Sequence, residues 1–183
     1  MTSENEQQEQ LIYNFEAKDG SAVTLRPAME KDAYDIITFA QSIVMSGSFI
    51  QKEQTKTPEQ EIRFIQEMKK QGHMYTAVEV EGKVLGIARI IRGDLSMKRH
   101  TGVFRTWLTD DAQGKGIGKK IMEYTLEWAK REGLHKICLT VFSGNPNAQK
   151  LYERYGFVVE GTQKDQLLIG DTFQDEIYMA YFF

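Results

Sequence analysis

Three glycines at alternate positions, Gly114, Gly116 and Gly118, stand between a run of strand character over 101–108 and a helix whose apolar positions Ile117, Ile121, Tyr124, Thr125 and Trp128 recur on one face. This junction constrains the fold more than any other segment. Glycine lacks a Cβ and reaches positive φ, so successive backbone N–H groups can converge on one point at a helix N-terminus, a geometry that binds phosphate. The chain before the junction is an antiparallel meander: 75–80, the turn Glu81-Gly82-Lys83, and 84–91 read as paired strands, and a basic loop with Arg92, Lys98 and Arg99 leads into 101–108. A meander that feeds a glycine loop and then a helix requires a mixed sheet.

The flanking segments complete it. Alternation over 11–17 and 22–26 about the turn Lys18-Asp19-Gly20-Ser21 predicts a β-hairpin, which Pro27 ends. Helical spacing from Asp32 through Ile36, Ile37, Ala40, Ile43 and Val44 predicts a first helix up to Ser46-Gly47-Ser48. Thr57-Pro58-Glu59-Gln60 is a capping box with proline at the first helical position, and it opens a second helix that stops near Gly72. Gly133 closes the helix after the glycine loop, 136–142 is a buried strand, Pro146 and Gly156 bracket another helix, and strands over 157–161 and 175–181 finish the chain. The order β-β-α-α-β-β-β-α-β-α-β-β belongs to one α/β domain over 11–183, a mixed, mostly antiparallel central sheet flanked by helices. Residues 1–10, acidic and amide-rich with little to bury, read as a flexible tail.

Composition narrows the function. With 23 Lys+Arg against 26 Asp+Glu among 183 residues, no overall positive field gathers nucleic acid. No window approaches the ~20 consecutive apolar residues that cross a bilayer. The start MTSENEQQEQ lacks the basic and apolar parts of a secretory signal, and the single Cys138 forms no internal disulfide, so a cytoplasmic protein is expected. His73, His100 and His135 lack metal-ligand spacing, and no metal site is expected.

The loop fails two phosphate-binding patterns. Counted back from Gly118-Lys119, the NTPase loop would need glycine where Gln113 stands and a hydroxyl where Lys120 stands. The dinucleotide pattern needs Gly-x-Gly-x-x-Gly opening a βαβ unit, and neither condition is met. Gln113-x-x-Gly116-x-Gly118 instead resembles the acyl-CoA pyrophosphate loop of the GCN5-related N-acetyltransferase (GNAT) superfamily. Downstream, Asn145-Pro146-Asn147-Ala148-Gln149-Lys150-Leu151-Tyr152-Glu153-Arg154-Tyr155-Gly156-Phe157 is similar to that superfamily's Asn-x-x-Ala-x-x-Leu-Tyr-x-x-x-Gly-Phe signature at every named position.

The resemblance implies acetyl-CoA as cosubstrate and a primary amine as acceptor, either a small molecule such as an amino acid or amine or a peptide or protein N-terminus. The pyrophosphate would lie on Gln113, Gly114, Lys115, Gly116, Ile117, Gly118 and Lys119, with Lys115 and Lys119 adding charge. Pantetheine would pair with the strand edge Thr106-Trp107-Leu108, and the Leu108 N–H would polarise the thioester carbonyl. Asn145, roughly 10.5 Å up the helix face from Tyr152, would meet the same arm. Tyr152 would hydrogen-bond the departing thiolate as general acid. By spacing alone, Ala148, Leu151, Tyr152 and Tyr155 form a packing stripe, and Trp107 and Trp128 also read as packing residues.

Relatives that acetylate small amino acids carry an acid where this chain has Val103. The general base is therefore open among Glu79, Glu53, Glu176 and a water chain. The first two helices, the connection 46–57 and the hairpin 161–177 would select the acceptor, and the apolar C-terminal strand suggests a homodimer. The alternative is a non-catalytic CoA-binding sensor or interaction module on the same fold.

Overall fold

The computed structural model describes residues 10–45 and 56–183. Apart from Gln10, the expected tail lies outside the described residues, as do Glu53 and most of the connection 46–57. The strands are β1 (Tyr13–Glu16), β2 (Ala22–Pro27), β3 (Met74–Val80), β4 (Lys83–Arg92), β5 (Thr101–Leu108), β6 (Lys136–Phe142), β7 (Val158–Ile169) and β8 (Thr172–Phe182). The helices are α1 (Ala33–Met45), α2 (Pro58–Lys70), α3 (Ile117–Arg131) and α4 (Pro146–Arg154). The strands form one sheet in the order β1-β2-β3-β4-β5-β6-β8-β7, in which β5 and β6 are parallel and the other neighbours antiparallel. The mixed, mostly antiparallel architecture expected from the sequence is the one observed.

Local chemistry sets the elements. The β3–β4 hairpin turns through Glu81 at φ 49° and Gly82 at φ 80°, the left-handed pair that suits strand twist in a two-residue loop. The α2 capping box is present: the Thr57 side chain accepts from the Gln60 N–H, and the Gln60 side chain accepts from the Thr57 N–H. Period-two alternation in β3 and β4 supplies both faces of the sheet. Met74, Val78, Ala88 and Ile90 join the core beneath α3 with Ile117, Ile121, Tyr124 and Phe104, whereas Ala77, Val84 and Ile87 pack with Ala33, Ile36 and Ile65 from the α1–α2 side.

The last two strands are longer than the spacing predicts. Both run on as a ribbon to a turn at Gly170, with irregularities between Val159 and Gly161 and between Gln163 and Leu167, and with Asp165 at φ 50°. Most of β7 is exposed, so no alternation of apolar and polar residues marks it.

Arg26 on β2 ties the sheet to the short turn of 3₁₀ helix before α1. Its guanidinium holds Asp32 at 2.8 Å and Glu79 at 2.6 Å, and the Asp32 carboxylate also accepts from the Met29 N–H at 2.7 Å. Burial opposes ionisation of Asp32, but the Arg26 and Met29 hydrogen bonds outweigh it and hold the pKa below the ordinary value. Replacement of Asp32 by Ala leaves a buried guanidinium short of a partner and should cost about 3 kcal/mol in a urea melt. Because the folded-state pKa is depressed, this stabilisation is complete above the unfolded pKa and lost as pH falls through the folded one. The gap between wild type and Asp32→Ala should hold steady from about pH 5 to 8 and narrow below about pH 4.

Candidate active site

β5 keeps its β4 partner from Gly102 to Leu108 but stays with β6 only through Thr101, Gly102 and Val103. Beyond Val103 the two parallel strands part, and a cavity of about 380 Å³ opens, lined by Phe104 to Trp107, by Leu139 to Phe142 and by Asn145, Ala148 and Tyr152. The pairing parity decides which backbone groups face it. The Thr109 N–H donates to the Leu85 carbonyl at 2.9 Å, and the Gly93 N–H to the Thr101 carbonyl at 3.1 Å, so odd-numbered residues of β5 spend their backbone on β4. Thr106 and Leu108 turn their backbone groups to the open side. Trp107 does not: its backbone pairs with Ile87, and its side chain instead lines the cavity wall. At the strand exit the Gln113 side chain donates to the Leu108 carbonyl at 3.1 Å, which makes Gln113 a brace for β5. Gly86 lets β4 approach there, since a Cβ on it would lie 2.6 Å from the Leu108 side chain and the Trp107 carbonyl.

The glycine loop follows. Gly114 and Gly116 adopt φ 73° and 84°, and Gly116 is the N-cap of α3, whose first N–H groups receive no side-chain cap. α2 and α4 are capped by Thr57 and Asn145, so the bare terminus is particular to α3 among these three helices. A free helix N-terminus with left-handed glycines at its entry fits a pyrophosphate. The lysines expected to add charge there differ. Lys115 is ion-paired with Asp19 at 2.8 Å, and its carbonyl accepts from the Lys18 N–H at 3.0 Å, so the β1–β2 turn braces the loop. Hydrogen bonds from Lys115 and Ser21 hold the Asp19 carboxyl well below the usual carboxylate range. Lys119 is exposed and has no ion-pair partner among the described residues. Ile117 buries its side chain in the core and offers only its N–H, while Gly118 lies against Leu151, so that the start of α3 approaches the body of α4.

Tyr152 takes the packing position that its spacing predicts. Its ring packs edge-on to Phe104 at 6.4 Å and against Phe157 at 5.8 Å, yet its hydroxyl has no hydrogen-bond partner among the described residues. Burial alone pushes its pKa up to about 12. Asn145 lies one residue outside the helical face assumed for it. It caps α4, its Oδ1 accepting from the Ala148 N–H at 3.2 Å, and only its amide NH₂ is left for a cavity ligand.

Two of the carboxylates considered as general base stand elsewhere. Glu79 is bound to Arg26, and Glu176 accepts from the Tyr178 hydroxyl on β8; neither lines the cavity. Among the described residues the acid that does line it is Glu61, which was not among the expected site residues. It is 2% exposed, accepts the Tyr75 hydroxyl and pairs with Lys56 at 3.2 Å. The available signal was its place on the stripe Glu61, Ile65, Met68, which the amphipathic α2 turns inward. Arg89 and Arg105 also line the cavity. His100 and His135 are exposed, the half-buried His73 accepts the Arg92 N–H on Nδ1, and the described residues contain no cluster able to hold a metal.

Parted parallel strands beside an uncapped helix define an acyl-CoA N-acyltransferase fold. Residues 39–157 match the Acetyltransferase (GNAT) family, and the chain belongs to it. The L-methionine sulfoximine/L-methionine sulfone acetyltransferase of Pseudomonas aeruginosa is 31% identical over 98 residues, 50% of this chain and 55% of that protein. An L-amino acid N-acetyltransferase of Escherichia coli is 30% identical over 105 residues, 55% of this chain and 63% of its own length. The chain thus spans little more than half the length of these relatives. Among solved structures, a GNAT-family acetyltransferase from Streptococcus pneumoniae superposes with a TM-score of 0.82 at 25% identity, covering 88% of this chain and 99% of its own. An acetyltransferase from Salmonella typhimurium solved with acetyl-CoA gives 0.80 at 21% identity, covering 87% and 93%. No helix among the described residues is long and apolar enough to cross a membrane.

The loop geometry carries a test. Gly116→Asp introduces a Cβ at φ 84° and a negative charge at the bare α3 terminus, so calorimetric CoA affinity should fall by at least about tenfold. Gly116→Ala, which carries the backbone strain without the charge, should lose less.

Proposed function

We propose that this protein transfers the acetyl group of acetyl-CoA to the primary amine of a small molecule. The observation that carries the reading is the convergence of an unpaired β5 backbone edge and an unpartnered Tyr152 hydroxyl on one cavity, just ahead of the bare α3 terminus. The pyrophosphate would rest on the N–H groups of 114–119 with Lys119 beside it, and the pantetheine amides on Thr106 and Leu108. Acetyl-CoA supplies an activated acyl thioester. The Leu108 N–H donates to the carbonyl oxygen as it gains charge during amine attack. Tyr152 donates its hydroxyl proton toward the departing sulfur. Glu61, the carboxylate present in the lining, receives the proton that the amine sheds, and Tyr75 and Lys56 hold it in place. A peptide N-terminus fits this reading less well, because Ile36, Ile37 and Ala40 of α1 line the same cavity as Glu61.

The test is Tyr152→Phe, which keeps the ring packing and removes one oxygen. kcat should fall by about 10² to 10⁴, with a much smaller change in CoA affinity. With its pKa at about 12, Tyr152 remains protonated wherever the protein is assayable, so wild-type kcat should rise with pH as the amine deprotonates and should not turn down before about pH 10. A variant with full activity would show that Tyr152 only packs. CoA binding without thiol release across a broad amine panel would establish the sensor reading instead. The proposal includes a homodimer. Val158, Val159, Phe173 and Phe182 are exposed on the terminal ribbon, where a second copy would cover them, and light scattering at micromolar protein should return twice the chain mass.

A further inference from the structure

Tyr75, Arg89 and Arg105 stand in one row across three strands. Tyr75 is the register partner of Arg89 in the β3–β4 pair, and Arg89 of Arg105 in the β4–β5 pair. Two residues along, Ala77, Ile87 and Trp107 form the neighbouring row, which packs beneath α1 and α2. Side chains alternate with period two, so the polar row projects from the same face, into the cavity that all three of its members line. Two guanidinium groups directly opposite each other across a strand pair repel, and a sheet gains nothing from that arrangement by itself.

Within the lining Glu61 is paired with Lys56, and two guanidinium groups face each other in the row. Arg89 is the informative one. It is half-buried, and among the described residues its guanidinium has neither a hydrogen bond nor an ion pair; its close neighbour is the face of Phe64 at 5.6 Å. Burial, and then the Arg105 charge, depress its pKa, although an arginine remains cationic at neutral pH. Arg26 on the same sheet shows the ordinary arrangement, with two carboxylates on one guanidinium.

We propose that Arg89 binds a carboxylate on the acceptor, so that the acceptor is an α-amino acid whose amine lies toward Glu61 and whose side chain lies along the apolar wall. This rests on the acetyltransferase reading of the same cavity. The planar fork of arginine matches a carboxylate in a bidentate pair, and the pair gives the half-buried Arg89 guanidinium the partner it lacks among the described residues. Ile36, Ile37, Ala40, Ile87 and Trp107 present an apolar surface to the acceptor's side chain, which favours medium aliphatic residues.

The experiment follows thiol release from acetyl-CoA with L-leucine, L-methionine, their carboxamides and isopentylamine. Wild type should prefer the free acids over the amides by about 10² in kcat/KM. Arg89→Met should collapse that preference to less than about tenfold, mainly through KM for the acids, with CoA affinity and melting temperature close to wild type. Arg89→Lys, which keeps the charge without the fork, should fall between. Amides or isopentylamine used as well as the acids would overturn the proposal, as would a preference that survives Arg89→Met. A binding arm separates this failure from failure of the proposed function: L-leucine is titrated calorimetrically into CoA-saturated protein beside L-leucinamide. Acid-selective binding lost in Arg89→Met upholds the carboxylate site even where no thiol is released. If neither ligand binds and neither is acetylated, the proposal falls.

Discussion

The structure depends on β5 losing one neighbour halfway along its length. Backbone N–H and C=O groups inside a domain are almost always paired, and a strand with a free edge in the middle of a sheet is costly unless another chain or ligand completes it. Here β6 leaves at Val103, yet β5 keeps its course because β4 holds the other edge and Phe104, 1% exposed, anchors it in the core. Gln113 then ties the glycine loop back to the Leu108 carbonyl. The unpaired edge and the uncapped α3 terminus are thus two ends of one connected segment, and both present N–H groups that the protein leaves unmatched. A long ligand with amides at one end and phosphates at the other is complementary to both.

Charge follows the same logic of spent and unspent groups. Arg26 is saturated by Asp32 and Glu79 and works as a structural clamp between β2, β3 and the entry to α1. Lys115 is likewise committed to Asp19, so its contribution at the loop is rigidity more than field. Arg89 and Lys119 lack such partners among the described residues, one in the cavity lining and one in the first turn of α3. Desolvating a guanidinium without compensation is unfavourable, which makes the half-buried Arg89 the more informative of the two.

What the sequence revealed and what it hid differ in range. The glycine loop, the α2 capping box and the Asn145 to Phe157 segment are contiguous, and their chemistry is legible from neighbours in the chain. Tyr152 needed both its helix and its signature. Glu61 lay within reach of the same method, since an acid on the inward stripe with Ile65 and Met68 is a conflict between polarity and burial that asks for an explanation. The Tyr75–Arg89–Arg105 row did not, because it exists only through the register of three strands, and a shift of one residue would send it to the other face. The Lys115–Asp19 contact joins the β1–β2 turn to the loop after β5, far apart in the chain, and the β7–β8 ribbon is exposed along most of its length, so neither leaves a periodic trace.

The tyrosines make the final distinction. Tyr13 donates to Glu127, Tyr75 to Glu61, Tyr124 to the Leu11 carbonyl and Tyr155 to the Lys119 carbonyl and Glu123. Each couples a buried or half-buried ring to an acceptor, as a phenol removed from water requires, and an unmet buried hydroxyl costs about 1 to 3 kcal/mol. Tyr152 shares the burial without the acceptor, and burial is the sole cause of its raised pKa. Had a carboxylate held its proton, the group would be stable but occupied. Left unbound in the cavity, with its pKa at about 12, it stays protonated through the neutral range, and in the proposed reaction its hydrogen bond would go to the sulfur only as negative charge develops there. An interaction made late in a reaction, and not in the resting protein, lowers the barrier without tightening the ground state.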